Sequence, residues 1–102
     1  MPPVRLSPRA ASDLEEIGDY IATDNPLRAG TFVDDIQKHC LLLAEKPKAF
    51  PLRQEFGAGV RVAVHGNYLI FFRILPQEIR VDRILHGARN LPLVLRKAKP
   101  KR

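Results

Sequence analysis

Apolar residues recur at helical spacing through the first half of this 102-residue chain and at strand spacing through the second. Val4-Arg5-Leu6 reads as a short opening strand that ends at Ser7-Pro8. Ser7 suits a helix N-cap, and Pro8 the first helical position, where its missing N–H is one that the helix end leaves unpaired anyway. Ala10, Leu14, Ile17 and Ile21 follow at spacings of four, three and four, forming one apolar stripe. Asp13, Glu15, Glu16 and Asp19 are predicted to face away from it. This helix stops at Thr23-Asp24-Asn25-Pro26, and Asn25-Pro26 opens a second one by the same device. The second stripe is Ala29, Phe32, Val33, Ile36, Cys40 and Leu43, in a helix expected to run to about Glu45, before Lys46-Pro47. Leu41 and Leu42 widen the stripe beyond one buried face, so this end either enters the core on two sides or shows apolar surface to a partner. With so few residues between them, the two helices must fold back as an antiparallel hairpin.

Residues 47–59 carry two prolines and two glycines and read as an irregular connection. The period then becomes two: Val60, Val62 and Val64 alternate with Arg61, Ala63 and His65. Gly66-Asn67 is a two-residue hairpin turn. Tyr68 to Ile74 is apolar at nearly every position, as in a central strand covered on both faces. After the turn at Leu75-Pro76-Gln77-Glu78, Ile79 to His86 makes a third strand, in which Asp82-Arg83 interrupts the alternation and marks a candidate bulge. The fold class is therefore α+β: an N-terminal strand and an antiparallel two-helix hairpin packed on an antiparallel sheet. A single domain is expected over residues 1–91, followed by a basic tail over 92–102.

Composition narrows the function classes. Hydrophobic residues make up 45% and charged residues 27%, and a chain this long can bury about 65% of its unfolded surface in one core. Disorder, collagen and multidomain architecture are excluded. Cys40 is the only cysteine, so the fold stands on its core without an intrachain disulfide, as expected in a reducing compartment. Met1-Pro2-Pro3-Val4 lacks the apolar region of a signal peptide, and the longest apolar stretches fall far short of the roughly 18 residues of a membrane helix. A soluble, cytoplasmic protein is expected. The net charge of +6 is unevenly placed: residues 1–50 hold six basic and eight acidic side chains, and residues 51–102 hold eleven and three. Arg96, Lys97, Lys99, Lys101 and Arg102 lie in the last seven positions. One class this points to is a constitutive nucleic-acid-binding domain, although its aromatic residues fall mostly at core positions instead of forming a stacking surface.

Candidate chemistry gathers on the sheet. Arg61, Arg73, Arg80, Arg83 and Arg89 either share a phosphate-binding face, since planar guanidinium forks fit phosphate oxygens, or are paired separately by Asp82, Glu78 and the acidic helix. His86 closes the last strand before Gly87-Ala88-Arg89-Asn90, where a side chain can project into a groove or serve a structural role. His39, His65 and His86 are scattered in sequence, no Cys/His spacing matches a zinc site, and Gly57-Ala58-Gly59 lacks the strand and helix of a phosphate loop. No metal or cofactor is expected, and Cys40 reads as a small core residue.

Several segments carry a family resemblance. They are Leu6-Ser7-Pro8-Arg9-Ala10 with Asp13-Leu14; Ile17-Gly18-Asp19-Tyr20-Ile21; Asn25-Pro26-Leu27-Arg28-Ala29; Val60-Arg61; Tyr68-Leu69-Ile70-Phe71-Phe72; and Ile84-Leu85-His86-Gly87-Ala88-Arg89-Asn90. In this order they resemble the ParE branch of the RelE/ParE toxin superfamily, the toxic halves of bacterial type II toxin-antitoxin pairs. The resemblance spans about residues 4–91 and leaves the basic tail outside.

It implies a ParD-like antitoxin whose C-terminal segment wraps the helices and sheet. Antitoxin contacts are then expected at Leu41, Leu42 and Tyr20, and at Arg73 and Arg83 on the sheet. Target contacts are expected at Arg61, His86, Arg89 and Asn90. DNA would be met only indirectly, through the antitoxin. The superfamily divides between ribosome-dependent mRNA endoribonucleases, which need a base, an acid and cationic groups facing one groove, and ParE-like toxins that act on DNA gyrase. Tyr68-Leu69-Ile70 begins the strand where a ribonuclease is expected to place a groove arginine, while Glu55 and His86 remain available as base and acid. A gyrase inhibitor with no catalytic residues of its own is the favoured expectation, and the endoribonuclease is the alternative.

Overall fold

Both Pro-opened helices begin where their caps place them in the computed structural model, which describes residues 2–88. The Ser7 hydroxyl accepts the Ala10 N–H at 3.0 Å and opens α1, Pro8–Ala22. Asn25 Oδ1 accepts the Arg28 N–H at 3.0 Å and opens α2, Pro26–Leu42. The antiparallel approach of the pair is close: a Cβ at Gly18 would sit 3.2 Å from Val33 Cγ2. α2 ends short of Glu45 because its last turn tightens, with the N–H groups of Leu43, Ala44 and Glu45 each bonding a carbonyl three residues back. That rotation carries Leu43 and Ala44 into the core and leaves Leu41 and Leu42 outside, 62% and 57% exposed. Among the described residues, no helix is long and apolar enough to cross a membrane.

The strands are β1 (Val4–Leu6), β2 (Arg61–His65), β3 (Tyr68–Ile74) and β4 (Ile79–His86), in the order β1-β4-β3-β2. The expected antiparallel meander is β2-β3-β4. β1, however, pairs parallel to β4, with Val4 opposite Ile79 and Leu6 opposite Val81, so the sheet as a whole is mixed. At the β2–β3 turn Gly66 takes φ 59°, a left-handed conformation that glycine adopts without steric penalty.

Two cores explain why β3 is apolar on both sides. Toward the helices, Leu14, Ile17, Phe32, Ile36 and Leu43 pack on Ile70, Phe72, Val81 and Ile84. On the opposite face, Phe56, Val60, Val62, Phe71 and Leu85 form a second cluster. It is covered by the connection after α2, which contains two single-turn 3-10 helices at Pro47–Ala49 and Gln54–Phe56. The Arg53 N–H closes this connection on the Val60 carbonyl at 2.7 Å, and Phe56 stands edge-on to Phe71.

The bulge lies where the broken alternation placed it. Phe71 pairs with Arg83 and Phe72 with Val81, leaving Asp82 as the extra residue of β4. Arg83 and Ile84 can then both turn to the helical layer, which regular alternation forbids. Asp13 corrects the expectation that it faces away: it is 7% exposed and inside the fold. Its carboxylate accepts the Ile84 N–H at 3.0 Å and two N–H groups of Arg83, at 2.8 and 3.0 Å. Position 13 lies three residues after Ala10 and four before Ile17, so it belongs to the edge of the apolar stripe.

Candidate functional site

The α1–α2 hairpin stands over the open end of the meander, where β3 begins and β4 ends, and a groove of about 820 Å³ lies between them. α1 lines it with Glu16 and Tyr20, α2 with Arg28 and Phe32, and the sheet with Tyr68 and His86. The aromatic rings form one connected row. Phe32 packs against Tyr68 at 5.4 Å between centroids, and Tyr68 meets His86 edge-on at 5.2 Å. The Arg28 guanidinium lies 4.8 Å above the Phe32 ring, within the range of a cation–π contact. Tyr20, 74% exposed, forms the rim. Burial first, and the neighbouring Tyr20 second, push the Tyr68 phenol up from its ordinary range.

Backbone bonds fix the sheet end of the groove. Gly87 donates its N–H to the Asn67 carbonyl at 2.8 Å, which fastens the end of β4 to the β2–β3 turn. His86 Nδ1 accepts the Ala88 N–H at 3.0 Å, so its exchangeable proton resides on Nε2 when the ring is neutral. His86 therefore does project into a groove, as its place at the strand end allowed.

Among the described residues, the sheet arginines do not share an anion-binding face. Arg73 forks onto Asp82 at 2.7 and 3.1 Å, and that hydrogen-bonded pairing raises its pKa against the opposing effect of burial. Arg80 and Arg5 meet Glu78. Arg61 donates to the Phe50 carbonyl at 2.6 Å and so braces the connection after α2. Arg83 is 8% exposed and locked to Asp13, which removes it from the surface where an antitoxin contact was expected. The salt-bridge alternative holds for Arg73, Arg80 and Arg83, while Arg61 is held by a backbone carbonyl instead of a carboxylate. Arg89, Asn90 and the tail 92–102 lie outside the described residues.

Of the expected contact residues, then, the groove brings together Tyr20 and His86. Leu41 and Leu42 form a separate apolar patch at the end of α2. Arg73 keeps partial exposure on the sheet face away from the helices. One pair was missed from sequence: His39 on α2 and His65 on β2, scattered along the chain, face each other with Nδ1 atoms 2.9 Å apart. Contact across two elements leaves no spacing signature. Cys40 is buried as expected, and burial pushes its thiol up to about 11, which suits an inert core residue. Among the described residues no three His, Cys, Asp or Glu side chains gather as a metal site.

Comparison with known proteins agrees with this architecture. A family model for the ParE toxin of the type II toxin-antitoxin system parDE matches residues 4–91. Toxin ParE1 of Caulobacter vibrioides is 29% identical over 91 residues, covering 88% of this chain and 94% of that protein. Among solved structures, a chain of the chromosomal ParDE TA system from P. aeruginosa superposes with a TM-score of 0.75 and 26% identity, over 84% of this chain and 96% of that one. A chain of the toxin-antitoxin complex RelBE2 from Mycobacterium tuberculosis shares the fold, with a TM-score of 0.62 and 22% identity over 86% and 93% of the two chains. The resemblance carried by the segments from Leu6 to Asn90 is thus accounted for: the chain belongs to the ParE toxin family of type II toxin-antitoxin systems.

Proposed function

We propose that this toxin acts by binding, with DNA gyrase as its target, and that a ParD-like antitoxin neutralises it by covering the exposed end of α2. The observation that carries the choice against a nuclease is the separation of the candidate catalytic groups. Phosphodiester cleavage needs a base, an acid and cationic groups converging on one groove. His86 lines the groove between α1, α2 and the sheet, and Glu55 is not among its lining residues. Glu55 sits instead in the second 3-10 helix, ion-paired to Arg53, whose hydrogen bond holds its carboxyl below the usual range and makes it a weak base. The sheet arginines are committed to Asp13, Asp82, Glu78 and a backbone carbonyl. This distribution favours recognition over chemistry.

For the antitoxin, support comes from Leu41 and Leu42, two large apolar side chains exposed side by side at the end of α2. The related P. aeruginosa chain comes from a ParDE system, and the M. tuberculosis chain from a toxin-antitoxin complex. Replacing both leucines with Glu is expected to leave the fold intact and weaken antitoxin affinity by tenfold or more; unchanged affinity rules the surface out. For the target, the test is induced expression without antitoxin, followed by supercoiling and in vitro translation assays on the purified chain. Blocked supercoiling with intact translation is the expected result. Ribosome-dependent mRNA cleavage would replace the gyrase reading with the endoribonuclease.

A further inference from the structure

We propose that His39 and His65 form a proton-sensitive clasp that holds the last turns of α2 against the β2–β3 hairpin and releases them on acidification. The two side chains come from positions 26 residues apart, with Nδ1 atoms 2.9 Å and ring centroids 5.2 Å from each other. The facing nitrogens therefore point at one another head-on. Such a contact requires one ring to donate and the other to accept, so the imidazoles hold opposite tautomers when neutral. A first added proton enters at the outer Nε2 of the donor ring and leaves the central hydrogen bond in place, now charge-assisted. A second can enter only at the acceptor Nδ1 itself. It then sets N–H against N–H and charge against charge, and the contact cannot persist.

The surroundings oppose charge on this pair. Phe32 stands edge-on to His65 at 5.5 Å between centroids. The titratable and charged groups around it are Asp35, one helical turn before His39, and Arg28, above Phe32, on α2; Tyr68 on β3, opposite His65 in register; His86 on β4, edge-on to Tyr68; and Tyr20 on α1, which faces Tyr68. Among the described residues, no carboxylate ion-pairs with either imidazole. Burial, and then the charge of His65, hold His39 below the ordinary imidazole value of 6.5. A group with a lower pKa folded than unfolded binds fewer protons in the native state. The clasp thus contributes fully above 6.5 and is lost as pH falls from there through the folded value. At 2.9 Å the two nitrogens fit a direct hydrogen bond; a shared cation with metal–nitrogen bonds of about 2.0 Å would hold them further apart.

The released segment carries Leu41 and Leu42, though the clasp itself does not depend on what binds there. The test is amide hydrogen exchange by NMR on the purified chain, corrected for intrinsic rates, between about pH 7.5 and about pH 5, with the histidine ring nitrogens followed in parallel. Protection at residues 39–43 is expected to fall by up to about tenfold per pH unit across the window, while α1 keeps its protection. His39→Gln keeps a side-chain carbonyl that can accept the His65 N–H whether His65 is neutral or charged, but it cannot itself titrate, and it should abolish the pH dependence. Should that variant not fold, His65→Gln probes the same contact from the sheet. Two imidazoles titrating independently near their ordinary value, with unchanged protection at residues 39–43, would overturn the clasp. So would stabilisation by Ni²⁺ or Zn²⁺ at neutral pH that either variant loses, since it would make the pair a metal ligand set.

Discussion

Two adjacent residues of β4, Asp82 and Arg83, each complete an Arg–Asp fork of nearly the same geometry. Arg83 meets Asp13 at 2.8 and 3.0 Å, and Arg73 meets Asp82 at 2.7 and 3.1 Å. Their surroundings differ. The Arg83 and Asp13 side chains are 9% and 8% exposed, whereas those of Arg73 and Asp82 are 38% and 24% exposed. Geometry alone would rank the forks equally; burial separates them. Inside, water cannot replace a lost partner, so removing one side strands the other. Outside, solvent screens the attraction and rehydrates whatever is left.

The inner fork also serves the backbone. Asp82 is the bulged residue, and the strand around it is held from the helical layer by two side chains. Asp13 accepts the Ile84 N–H, and the Ser7 hydroxyl donates to the Asp82 carbonyl at 2.9 Å. The same Ser7 hydroxyl caps α1. The bulge, the helix cap and the buried ion pair are one connected unit, and the outer fork merely lies across its solvent face.

The comparison breaks most sharply at Asp13. Asp13→Ala strands the buried Arg83 and leaves the Ile84 N–H unpaired, and is expected to lower stability by about 3–5 kcal/mol. That corresponds to a melting temperature lower by about 12 °C or more for a domain of this size. A loss below about 1 kcal/mol in urea titration would show that water reaches the site and that the two forks are equivalent. Ser7→Ala tests the connection between cap and bulge. It should cost about 1–2 kcal/mol, the upper part of the range for caps, because the hydroxyl satisfies a second group. Arg73→Ala is expected to fall within about 1 kcal/mol, measured in the same titration. The smallest effect separates the forks by salt. At about 1 M NaCl the remaining contribution of Arg73 should vanish, since screening acts on exposed charges, while that of Asp13 should hardly change.

Much of this protein was legible from local pattern. Both helix starts followed from Ser7-Pro8 and Asn25-Pro26, the hairpin from Gly66-Asn67, and the bulge from the broken alternation at Asp82-Arg83, because each depends on a few consecutive residues. His86 reached a groove because strand ends do. The buried role of Asp13 was less visible. Its spacing placed it at the edge of the stripe, but its charge argued for solvent, and only an arginine 70 residues away reversed that. Parallel pairing of β1 was equally hidden, since three residues carry no mark of the direction of their neighbour.

By itself, then, the sequence determined where elements start and stop, which faces are apolar, and the family, since caps, periods and turn residues act over a few positions. The tertiary structure decided which charges are structural and which are free. It committed Arg83 to the interior, divided the other sheet arginines among separate partners, and set His39 against His65. The physical reason is that the energy of a polar side chain depends on its solvent exposure and on partners far away in the chain, and neither is a property of the residues beside it.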